Sequence, residues 1–151
     1  MKYLKYFESD TSLIYSSLIM DLKDMSLELV DDGFKVEVYT NETAGEFLVV
    51  INKQNISRSW GKIITSGFMM DQNLKDFILR STNYMKLEGY KSHIHSDYGT
   101  LSIIDENIFI KNLPQPQKTL DVTNNLNYAI TSLHQFTTIN ISFILATKYV
   151  D

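Results

Sequence analysis

The chain contains no cysteine, only two prolines and two arginines, and six glycines in 151 residues. Without cysteine there is no disulfide framework, thiolate zinc site, cysteine nucleophile or iron–sulfur ligation. That usage suits a reducing compartment. A chain of this length buries roughly 70% of its unfolded surface, so it needs no covalent or metal staple to fold. The two arginines, Arg58 and Arg80, leave few bidentate phosphate or guanine contacts. The fourteen basic residues are scattered from Lys2 to Lys148 against a net charge of −4, which disfavours nucleic acid as a partner.

Long apolar runs are missing too. Phe47 to Ile51 and Phe143 to Ala146 are strand-sized, far short of the about 20 residues a bilayer requires. The opening Met1-Lys-Tyr-Leu-Lys-Tyr-Phe-Glu has no apolar core of a secretion signal before Glu8 and Asp10. A soluble protein with no membrane partner is expected. The sequons at Asn41, Asn55 and Asn140 then reflect an asparagine-rich chain rather than glycosylation.

What is present is a globular composition, 44% hydrophobic and 12% aromatic. Phe, Tyr, Asn, Ile and Lys number 56, whereas Gly, Ala, Arg and Pro number 13. Codons for the first group are AT-rich, which points to an AT-rich genome.

Periodicity then orders the elements within one domain, 1–151. Leu18, Leu22, Met25 and Leu29 recur at helical spacing, which predicts a helix from about Asp10 to a Gly33 stop. Phe34 to Thr40 alternates as a half-buried strand, and Phe47 to Ile51 reads as an interior strand, the two forming a hairpin. Lys62 to Thr65 is a third strand. Asp71 caps a second helix that buries Leu74, Phe77, Ile78, Tyr84 and Met85 and ends at Gly89. A meander follows, with strands over Tyr90–Ser96, Thr100–Asp105 and Ile108–Lys111. Pro114 to Gln117 marks a surface loop. A third helix is expected over Val122–Gln135 and a closing strand over Thr137–Thr147. Lys2 to Phe7 is expected as an edge strand or an interface arm. The fold class is α+β, a mostly antiparallel sheet of about six or seven strands packed by two or three helices. Leu22-Lys-Asp-Met before Gly33-Phe-Lys, and Leu74-Lys-Asp-Phe before Gly89-Tyr-Lys, also raise an α-β-β duplication. The generic way a helix ends before a strand explains the same recurrence.

The sharpest chemical pattern is His93-Ile-His95-Ser-Asp97. Alternate strand residues share a face, so His93 and His95 could chelate a metal. The spacing is similar to the His-x-His-x-Asp part of the metallo-β-lactamase motif, but Tyr98 stands where that motif requires another histidine. A third ligand would have to be His134 or a carboxylate. The competing reading is two solvated histidines beside a hairpin turn, and it weighs more: no catalytic residue, metal or cofactor is assigned. Asp31-Asp32 and Asp105-Glu106 sit at a helix end and a turn, where carboxylates serve the backbone. Gly61-Lys62 lacks the rest of a phosphate loop, and the serine-hydrolase and zinc-protease motifs are absent. Arg58, Trp60 and Lys62 have the composition of a protein-interface hot spot. Trp60 could equally pack as core or stack on a base.

The opening Met1-Lys-Tyr-Leu-Lys-Tyr-Phe-Glu, its helix, Gly33-Phe-Lys-Val and the hairpin resemble small uncharacterised proteins of tailed bacteriophages from AT-rich hosts. That resemblance spans about the first third of the chain and brings no catalytic residues. At the level of element order the chain also resembles phage neck and tail-completion proteins, which assemble into rings. The resemblance implies a non-enzymatic protein acting through contacts with other protein subunits, itself included, in the virion or its assembly. Two alternatives stand beside it: an accessory protein in the host cytoplasm that modulates a host factor, and a small His-x-His metal-dependent hydrolase.

Overall fold

Gly33 and Gly89 end the two helical segments in the same way, at φ +94 and +92, and each turns the chain into a strand. A computed structural model describes residues 15–41, 43–56, 63–111 and 127–146. Helix α1 covers 15–25 and α2 Leu27–Asp31, followed by β1 (Phe34–Asn41), β2 (Glu46–Ile56) and β3 (Ile63–Ser66). Helix α3 (Gln72–Leu87) precedes β4 (Tyr90–Ser96), β5 (Gly99–Ile104), β6 (Asn107–Lys111), β7 (Asn127–Ala129) and β8 (Thr138–Leu145). The fold is α+β, with the strands in one antiparallel sheet of order β1-β2-β8-β4-β5-β6-β7.

Strand β2 is long enough to be served along one edge by two strands in turn. Strand β8 pairs with Glu46–Asn52, and β3 takes over at Lys53–Ile56. Where they meet, Phe68 and Phe136 exchange backbone hydrogen bonds of 2.9 and 2.8 Å, which continue the pairing across the handover.

Pairing register sends alternate residues of each strand to one face. Phe47, Val49 and Ile51 of β2 lie beside Phe143, Ile141 and Ile139 of β8, and all six are buried. Each such side chain contributes roughly 1.5–3 kcal/mol on burial. The helices cover this face through Leu18, Leu22, Leu29, Leu74, Phe77, Ile78 and Met85. Met25 is only half-buried. Ser26 takes the central place on the inner stripe, its hydroxyl donating to the Lys23 carbonyl at 2.7 Å. That bond tightens the turn between α1 and α2. An Asp71 carboxylate accepting from Leu74 N at 2.8 Å starts α3 as expected.

No third helix forms over the described part of Val122–Gln135: Asn127–Ala129 is strand, and residues 132–133 form a turn. Here the ladder to Phe109–Lys111 outweighs the weak helix propensity of an asparagine-rich stretch, and Leu133 is exposed. The apparent duplication is a shared way of ending helices. Strands β1 and β4 run antiparallel to each other, yet β2 lies on the same side of β1 as β5 does of β4 and both helical segments pack on one face, so no rotation superposes the two α-β-β units. Lys2–Phe7, Pro114–Gln117 and the trio Arg58, Trp60 and Lys62 lie outside the described residues. Among the described residues, no helix is long and apolar enough to cross a membrane.

Candidate functional site

The His-x-His strand forms as predicted, beside the hairpin turn expected for it. His93 and His95 sit on the exposed face of β4, opposite Ser142 and Asn140 of β8. Asp97 belongs to another job. Its carboxylate accepts from Thr137 N at 2.8 Å, from the Thr137 hydroxyl and from Thr138 N at 3.0 Å. Burial alone would raise its pKa. The hydrogen bonds from the Thr137 side chain and from the Thr138 and Thr137 amides outweigh that effect and hold it below the usual aspartate value. The carboxylate thus fastens the β4–β5 turn to the entry of β8 and is committed away from the histidines. Among the described residues, no three His, Asp or Glu side chains converge as metal ligands would.

Beside this clasp the Tyr98 ring stands edge-on to Phe136 at 5.3 Å and to His134 at 5.0 Å. Its hydroxyl accepts from Gln135 N at 3.2 Å. His134 Nδ1 accepts from Thr131 N at 3.0 Å, so this nitrogen carries the lone pair. The histidine weighed as a third ligand therefore closes its own loop. An aromatic chain continues inward from Phe136 to Phe68 at 6.2 Å and on to Phe34 at 5.1 Å. These groups are organised to hold β8 in place.

A shallow depression of about 270 Å³ lies at the other end of the sheet, lined by Met70, Lys75, Asn107, Ile108, Phe109, Ala129 and Ile130. Lys75 donates to Asn107 Oδ1 at 3.2 Å there. It brings together apolar surface and one ammonium, without an acid–base pair. Sequence reasoning missed it because Ala129 and Ile130 were assigned to a helix.

Among the described residues, several large apolar side chains are exposed. Met20, Leu27 and Val30 are 64%, 57% and 48% exposed. Spacings of seven and three place them on one stripe along α1 and α2, away from buried Leu18, Leu22 and Leu29. On the sheet face turned away from the helices, Tyr39 is half exposed beside partly exposed Leu48. Compared with known proteins, the chain matches no family model, no curated protein and no solved structure.

Proposed function

We propose that this chain is a non-enzymatic protein that works by contact with other protein subunits, in the setting its opening resembles: a tailed-phage virion or its assembly. The observation that carries the contact reading is the exposed stripe of Met20, Leu27 and Val30. Burying three such side chains favours association by several kcal/mol before the entropy of docking is subtracted. Light scattering on untagged protein, over a range of concentrations, tests it. An assembly larger than a dimer, which the folded variant Leu27→Glu/Val30→Glu disperses, supports the reading. A species of one or two chains at every concentration, identical in wild type and variant, removes the assembly component. It would favour the host-factor modulator.

A further inference from the structure

Strand β1 closes one end of the sheet, and its outer edge pairs with no described residue. At the opposite end β7 offers only three residues, whereas β1 offers eight without proline or glycine. Edge strands of this kind add further strands through their unpaired amides and carbonyls. We infer that the β1 edge binds a second copy of this chain in antiparallel register, with Val36 opposite Val36 across a twofold axis. The inference rests on the contact reading above and names a surface and a partner for it.

Charge order along the strand selects the register. On the face turned from the helices stand Lys35 and Glu37, their side chains 50% and 34% exposed and 3.3 Å apart at the charged atoms. With Val36 at the centre, Lys35 of each copy falls opposite Glu37 of the other, so two opposite-charge pairs form across the seam. On the inner face the same register sets Val36 against Val36 and Phe34 against Val38, matching apolar to apolar. Sliding the centre to Glu37 puts two carboxylates face to face. A slide to Val38 leaves Lys35 opposite the amide of Asn41. A slip of a single residue on one strand alone would set inner faces against outer ones. An axis perpendicular to the sheet carries both copies' helices to the same side and makes one continuous sheet.

The absence of native cysteine makes the register directly readable. Single cysteines at 35 through 39 are introduced one at a time and oxidised mildly. Directly opposed residues in an antiparallel pair bring Cα atoms within disulfide range, so Val36→Cys should give the dominant cross-linked dimer. Sedimentation velocity then follows the charges. Lys35→Glu and Glu37→Lys should each weaken the dimer at least about tenfold, and the double exchange should restore it to within about threefold of wild type. Circular dichroism verifies that every variant remains folded. Cross-linking centred at another position, or a dimer indifferent to both charge reversals, overturns the inference. If an assembly sensitive to Leu27→Glu/Val30→Glu persists in that case, the contact reading survives its loss. A Val36-centred dimer that never grows and ignores the stripe variant has the opposite meaning, leaving the inference standing without the assembly reading.

Discussion

Replacing Asp97 by alanine should cost about 2 kcal/mol although the residue lies at the surface. In the native chain one carboxylate accepts three hydrogen bonds from Thr137 and Thr138, two of them backbone amides at 2.8 and 3.0 Å. A hydrogen bond to a charged group contributes about 1.5–3 kcal/mol when desolvated. Asp97 is exposed, so water replaces part of what alanine removes, and three bonds together are held to about 2 kcal/mol. Asp97→Asn keeps an acceptor without the charge and should lose about half as much. Urea denaturation reads both, and the expected drop in melting temperature for the alanine variant is about 4–8 °C. The pH dependence supplies the sharper test. Because the folded carboxyl titrates below its unfolded value of about 3.9, its contribution is complete above that pH and disappears as pH falls through the folded pKa. The stability gap between wild type and Asp97→Asn should therefore stay flat from pH 7 to about 5 and shrink below about 4. A gap under about 0.3 kcal/mol at pH 7, or one undiminished at pH 3, would refute the clasp.

Two further substitutions test separate features. The β5–β6 turn holds Asp105 and Glu106 at φ 49 and 63, a left-handed pair that glycine occupies more easily. Relief of that conformation exceeds the added freedom of the unfolded chain, so Glu106→Gly should stabilise by about 0.5 kcal/mol in thermal melts. Tyr84 donates its hydroxyl to Asp21, joining α3 to α1. Burial first, and then that bond, push its pKa up to about 12. Tyr84→Phe should cost about 1 kcal/mol in urea melts at pH 7. A raised phenol pKa stabilises fully below the unfolded value of about 10 and ceases to do so as pH rises through 12. The cost should accordingly be unchanged at pH 9, and a Tyr84→Phe variant as stable as wild type would remove the strut.

Local signals made most of the sheet legible. Period-two alternation over Phe34–Thr40, and the Asp97-Tyr98-Gly99 and Asp105-Glu106 turns, placed β1, β4, β5 and β6 within a residue or two. Asp71 and Gly89 bounded α3 for reasons that act within one helical turn. Order within the sheet was not legible, because inserting β8 between β2 and β4 depends on contacts between residues far apart in sequence. The same reason hid β7: Asn127-Tyr-Ala has no strand pattern alone and becomes a strand only beside Phe109–Lys111. At the histidines, spacing correctly put His93 and His95 on one face. It could not show that Asp97 reaches forty residues ahead to Thr137, nor that His134 turns its nitrogen to Thr131.

Strand β8, last in chain order among the described strands, occupies the middle of the sheet, between β2 and β4. On a ribosome, the β1–β2–β3 and β4–β5–β6 segments emerge before the strand that joins them. Only when Thr138–Leu145 leaves the exit tunnel can those segments be zipped together. The sheet is thus completed only once β8 has been made, and pairings between residues so far apart in sequence form slowly and leave strand edges exposed in the interval. A cell making this protein quickly should depend on chaperones during translation far more than the stability of the finished molecule would suggest.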